Sequence, residues 1–200
     1  MKKKAVPSGN VFSRLAELYS RMEQAYAQSA QAAGLSCAGC PTNCCTSYFQ
    51  HHTRIEWIYL LKGIRALPAA RQATLHQRAS VYMAHAQEAL AARQIPSAIC
   101  PVNEDGLCTL YAHRLMICRM HGTRNSMQLP DGQEKIFAGC GQYVQRCGKN
   151  GSTPPALDRT PFYRNLAALE MELLKNSGQP LPRVNLTIAE MILAGPPPLR

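Results

Sequence analysis

The stretch Cys37-Ala38-Gly39-Cys40-Pro41-Thr42-Asn43-Cys44-Cys45 places four thiols within nine positions. A single cysteine is readily explained as a small buried hydrophobe, but four in so short a run are not. A C-x2-C pair lets two thiolates reach one ion across a tight turn, and Gly39 and Pro41 suit such a turn. Cys44 and Cys45 are adjacent, and neighbouring side chains of an extended segment point to opposite sides. They suit two metals, or a metal and a partner, better than one shared ion. The stretch therefore predicts a loop organised by metal, and the flanking sequence must supply the scaffold.

That scaffold reads as helical. Phe12, Leu15, Tyr19, Met22 and Tyr26 recur at three-and-four spacing, which predicts a helix over 11–33 with Asn10 as cap and Gly34 as stop. Thr53-Arg54-Ile55-Glu56 has the pattern of a capping box. It opens a helix to about Leu67 carrying Ile55, Ile58, Tyr59 and Leu61. Pro68 suits the start of a third helix, marked by Leu75, Ala79, Tyr82, Ala86 and Leu90 and ending before Ile95-Pro96. Thr160-Pro161 opens a fourth, with Phe162, Leu166, Leu169 and Leu173 inward and Gly178 as stop. Thr187-Ile188-Ala189-Glu190 is a second capping-box pattern, for a short helix ending at Gly195. Between 96 and 152 the chain is punctuated by Gly, Pro, Asn and Asp, and reads as loops and short turns with strand pieces near Leu107–Leu110.

The expected fold is mainly α, with helices packed around a loop-rich, cysteine-coordinated metal core. Residues 1–9 read as a basic arm, 10–178 as one helical cysteine-cluster domain with its metal core at about 37–147, and 179–200 as a Pro-rich tail with one short helix.

Five more cysteines follow in that middle stretch: Cys100, Cys108, Cys118, Cys140 and Cys147. Nine is an odd number, and clustered cysteines in a reduced compartment read as metal or redox chemistry rather than disulfides. A zinc ribbon needs a second C-x2-C pair, and none exists. Nine residues separate Cys108 from Cys118, and six separate Cys140 from Cys147. The C-x2-C-x3-C spacing is near, though not the same as, the C-x2-C-x2-C run of ferredoxins. Arg114 and Arg119 flank Cys118, where a guanidinium lowers thiol pKa and donates to sulfur. The alternative for both is a solvated surface.

The remaining candidates carry less. His51-His52 precede a helix, and adjacent imidazoles rarely share an ion. His76 and His85 fall on opposite sides of one helix, so both read as structural or exposed. His113 and His121 lie inside the cysteine-rich box and are candidate ligands or proton carriers. No Ser-His-Asp order, P-loop or paired-carboxylate site is visible, so no reaction is assigned.

Charge points two ways. Lys and Arg total 22 against 12 Asp and Glu, a formal charge of +10, of which +7 falls in residues 1–100. Basic chains invite a nucleic-acid reading. Beyond Lys2–Lys4 there is no basic run, and aromatics are only 6%, so nucleic-acid binding is disfavoured. A thiolate-bound zinc or four-iron centre carries about −2, which part of the excess would offset. No apolar run approaches the length of a membrane span. Lys2–Lys4 are followed by no apolar core, so no signal peptide is expected and the chain reads as cytoplasmic.

Taken together, these residues resemble the YkgJ-like CxxCxxCC family of zinc- or iron-chelating domains. Cys37, Cys40, Cys44 and Cys45 match its opening. Cys100-Pro101 matches its C-P element, Gly106-Leu107-Cys108 with Tyr111 the next, and Arg114-x3-Cys118-Arg119 its R-P-x-x-C-R box, with Leu115 in place of the Pro. Cys140-Gly141 matches the final cysteine, and Cys147 is additional. The likeness spans about residues 37–141. It implies chelation by Cys37, Cys40, Cys44, Cys45, Cys100, Cys108, Cys118 and Cys140. A similar motif occurs in flagellin lysine methylases that carry an iron–sulfur cluster, but this chain is short and lacks a Gly-rich nucleotide loop. Three readings follow. The first is an iron–sulfur protein, 4Fe-4S in type, with a redox or enzyme-accessory role and a redox or protein partner. The second is a zinc protein for structure or metal handling. The third is an interaction or nucleic-acid-binding module with purely structural metal.

Overall fold

A computed structural model describes residues 10–36, 44–151, 153–175 and 181–199. Among these, seven α-helices alternate with short strands. They are α1 (Val11–Ala32), α2 (Arg54–Arg65), α3 (Ala69–Ala91), β1 (Asn103–Glu104), β2 (Leu107–Cys108), α4 (Met116–Met120), β3 (Asn125–Gln128), β4 (Glu134–Phe137), α5 (Gly141–Asn150), β5 (Leu157–Asp158), α6 (Thr160–Leu173) and α7 (Ile188–Ala194). Short 3-10 turns lie at Cys44–Thr46 and Tyr111–His113. The chain is mainly α, as its periodicity predicts. The basic arm at 1–9, and Cys37, Cys40 and the Gly178 stop, lie outside the described residues.

Two apolar clusters hold the helices. The larger joins Trp57, Leu60, Leu61 and Ile64 of α2 to Leu75, Ala79, Tyr82 and Ala86 of α3 and to Ile188, Ala189, Met191 and Ile192 of α7. The segment read as a tail is therefore part of this core, and Trp57 Nε1 donates to the Met191 carbonyl at 3.0 Å. The smaller joins Leu15, Leu18, Tyr19 and Met22 of α1, Ile55 of α2, Met116 and Met120 of α4, and Leu166 and Leu169 of α6. α2 thus has one face in each cluster.

Helix starts follow the sequence with one exception. Asn10 accepts from Phe12 N at 2.9 Å, and Thr187 with Glu190 forms the reciprocal capping box. The expected box at Thr53–Glu56 does not form. The Thr53 hydroxyl donates to Glu56 Oε2 at 2.8 Å, and the α2 amides are capped from another helix. Glu170 of α6 accepts from Arg54 N at 2.9 Å and Ile55 N at 2.8 Å. An acceptor there satisfies amides that no helical carbonyl can reach.

The stretch 96–152 is more ordered than expected. β1 and β2 form an antiparallel hairpin whose turn, Asp105-Gly106, has positive φ at both residues. β3 pairs antiparallel with β4 and parallel with β5. α5 packs Tyr143 and Cys147 on Ala33 at the end of α1. No helix among the described residues is long and apolar enough to cross a membrane.

Candidate metal centre

Five cysteines from three separate segments line one cavity of about 50 Å³: Cys44, Cys45, Cys100, Cys108 and Cys118. His51, His113, Arg114, Leu60 and Tyr82 share its wall. A volume of that size is far below the roughly 300–1,000 Å³ of small-molecule clefts. It suits a compact inorganic group.

Each segment is fixed by main-chain bonds. The 3-10 turn Cys44–Thr46 presents Cys44 and Cys45 side by side, and the Cys45 carbonyl accepts from Cys100 N at 2.9 Å. The Cys100-Pro101 turn closes with Asn103 N on the Cys100 carbonyl at 2.9 Å. In the β1–β2 hairpin Asn103 pairs with Cys108, which brings that thiol back beside the turn. Cys118 comes from the one-turn helix α4, whose Met116 amide donates to buried Glu56 Oε1 at 2.7 Å. The same carboxylate accepts from Tyr19 Oη at 2.9 Å, so α1, α2 and α4 meet behind the site on one group.

The two arginines diverge. Arg114 lines the cavity and its guanidinium donates to the Cys118 carbonyl. Burial opposes its charge, yet Cys118, Cys44 and Cys108 around it leave its pKa raised. Arg119 is buried with its guanidinium turned to the main chain. It donates to the carbonyls of Arg114 at 2.7 Å, Ala112 at 2.9 Å and Tyr111 at 3.1 Å, and stacks 4.3 Å above the Tyr19 ring. It holds the turn that carries His113 and Arg114. His113 fits because Gly63 faces it: a Cβ there would lie 2.6 Å from the imidazole. His121 stacks edge-on against Phe49 with ring centres 4.9 Å apart.

The thiols have unequal acidity. Cys44 and Cys45 share a hydrogen bond that raises the Cys44 pKa and lowers that of Cys45, with the Asn103 amide and Arg114 adding to the fall. Burial raises Cys100 and Cys108, and pushes Cys118 up to about 12 against the pull of Arg114. Bringing several thiolates into one buried space is unfavourable until a cation compensates them.

Cys140 and Cys147 do not line this cavity. They lie at the start and in the second turn of α5, packed with Tyr143, Ala33 and Leu35. His76 and His85 lie on α3, and His52 is exposed. Among the described residues, no three His, Cys, Asp or Glu side chains stand at the spacing of a single-ion site. The donors that are present are soft thiols with imidazole, the set that zinc and iron–sulfur clusters take. The sequence marks Glu56 only as the end of a capping box and does not mark Asn103. For Asn103, the Asp105-Gly106 hairpin signal three residues on was the available cue.

Comparison with family models, with curated proteins and with solved structures found no match to this chain, so its likeness to the YkgJ-like family rests on the sequence motifs alone.

Proposed function

We propose that this chain is a metal-binding cysteine-cluster protein that carries an iron–sulfur cluster of the 4Fe-4S type, in a redox or enzyme-accessory role. The observation that carries the reading is the convergence of Cys44, Cys45, Cys100, Cys108 and Cys118 on one small cavity from positions 74 residues apart at the extremes. These five would hold the group, and the sequence motif adds Cys37 and Cys40. Cys140 belongs to the motif too, though it sits apart from the cavity in the described fold. When bound, such a cluster supplies one-electron chemistry. The chain's own part is to present the thiols, to place the Arg114 charge beside them, and to bury them behind Leu60 and Tyr82.

Five thiols without paired C-x2-C knuckles favour a cluster over a four-thiolate zinc site. Zinc remains the second reading because imidazoles also line the cavity, and zinc takes mixed nitrogen and sulfur ligands.

Anaerobic purification followed by counting iron, zinc and acid-labile sulfide per chain decides between them. About four iron and four sulfide with a visible band near 400 nm is the expected result. Zinc alone, without sulfide or colour, overturns the redox role. Cys118→Ser and Cys100→Ser should lose the metal, whereas Cys147→Ser should keep it. Retention in all three would rule out the cavity as the metal site.

A further inference from the structure

His51 is the buried group in this cavity that no contact explains. It is 1% exposed, and neither ring nitrogen has a hydrogen-bond partner among the described residues. Its main chain is fully committed. His51 N donates to the Leu186 carbonyl at 2.8 Å, and Leu186 N donates back to the His51 carbonyl at 3.1 Å. That two-way bridge fixes the residue from the α7 side, and His51 is one of the residues that line the thiol cavity. The other histidines differ. His52 is exposed, with Nδ1 3.3 Å from the Val184 carbonyl. His113 packs its ring on Tyr59 with centres 4.7 Å apart, and His121 rests on Phe49.

A buried polar group without a partner costs about 1–3 kcal/mol, and an imidazole has two such groups. Burial holds the His51 pKa down to about 3, so the ring is neutral and one nitrogen keeps a free lone pair. A neutral imidazole in a thiol-lined cavity has the form of a metal ligand.

We propose that the His51 imidazole is a nitrogen ligand of the metal centre held by the cysteine-lined cavity. This rests on the metal-centre reading above and sharpens it: the donor set is mixed sulfur and nitrogen, not all thiolate. A neutral imidazole in place of a thiolate removes one negative charge from the centre, which raises the potential of an iron–sulfur cluster.

X-ray absorption at the edge of the metal in the full-length protein as isolated tests this. Wild type should show imidazole outer-shell scattering beside the sulfur shell. His113→Ala and His121→Ala should keep it, and His51→Ala and His51→Gln should lose it. Both His51 variants should also lose metal to a competing chelator at about tenfold lower concentration or less. Sulfur scattering alone in wild type overturns the inference and leaves the metal centre standing. Loss of the imidazole signal in His113→Ala or His121→Ala also overturns it, and that arm does not depend on whether the His51 variants fold. Wild type that retains no metal overturns the metal-centre reading itself.

Discussion

In α1 and α6 the buried side chains recur every three or four residues and the main chain satisfies itself, whereas between Cys100 and Met120 burial follows no such period and the main-chain bonds are supplemented by side chains. That second stretch contains a two-residue hairpin, a 3-10 turn and one turn of α-helix. Three of its carbonyls, at Tyr111, Ala112 and Arg114, accept from the Arg119 side chain, and its helix start is anchored from α2 by Glu56. The helical shell is held by area and is tolerant of small shifts. The thiol-bearing stretch is held by a few directional bonds, each of which fixes where a cysteine lies. Stability and site geometry are thus carried by different residues, and substitutions should separate them.

The largest effect belongs to the shell. Leu15→Ala, in α1 and fully buried, should lower unfolding free energy by about 2–5 kcal/mol in chemical denaturation while metal content per folded chain stays at the wild-type value. Arg119→Ala should do the reverse. Stranding the Ala112 and Arg114 carbonyls should cost about 1–3 kcal/mol, and metal retention against a chelator should fall well beyond that of Leu15→Ala. Arg119→Lys should rescue little, because a point ammonium does not span three carbonyls. Equal metal loss in Leu15→Ala and Arg119→Ala would erase the distinction between the two regions.

Glu56 couples the regions and gives a pH test. Burial raises its pKa, outweighing the bonds from Met116, Thr53 and Tyr19 that favour the anion. The folded protein therefore holds this proton more tightly than the unfolded chain does. Its contribution to stability is fully present below the ordinary Glu range, near pH 4, and is lost as pH rises through the folded value. Urea midpoints measured upward from there should carry this falling component in wild type, and Glu56→Gln should flatten it. The smallest change is expected at Leu90, 49% exposed at the end of α3: Leu90→Ala should shift stability by no more than about 0.5 kcal/mol.

The shell was legible in the sequence because its information is local. Asn10, the α1 and α3 stripes, and the Thr187–Glu190 box each predict an element from residues within one or two turns. Leu90 shows the limit, since the α3 stripe predicts it inward and it lies half-exposed near the helix end. α5 was missed because Tyr143 and Cys147 are its only buried pair among the described side chains, too few to show a period, and Gly141 and Gly148 dilute it. β3 was missed because Asn125 and Ser126 are buried polar residues, not an apolar alternation. The Pro130-Asp131-Gly132 turn beside it was the available cue.

The cysteines of the site were visible as a set, but their grouping was not. Sequence spacing cannot separate Cys118, in the cavity, from Cys140, which packs with Cys147 on α5. Arg114, four residues before Cys118, and Arg119, directly after it, both flank that thiol in the sequence. Only the Tyr19 ring under one guanidinium and three carbonyls around it show why Arg119 turns away. His51 looked like half of an unusable pair until the Leu186 bridge buried it and left His52 outside.

The Glu170 cap on α2 also bears on the order of events during synthesis. The helix that backs the cavity begins on amides satisfied only from α6, more than a hundred positions downstream, and the adjoining His51 is pinned by Leu186 later still. Contacts so distant in sequence form late. A nascent chain that has exposed all five cavity thiols still lacks both clasps, so incorporation of the inorganic group proposed for the cavity would be a step of the finished polypeptide rather than of the growing one.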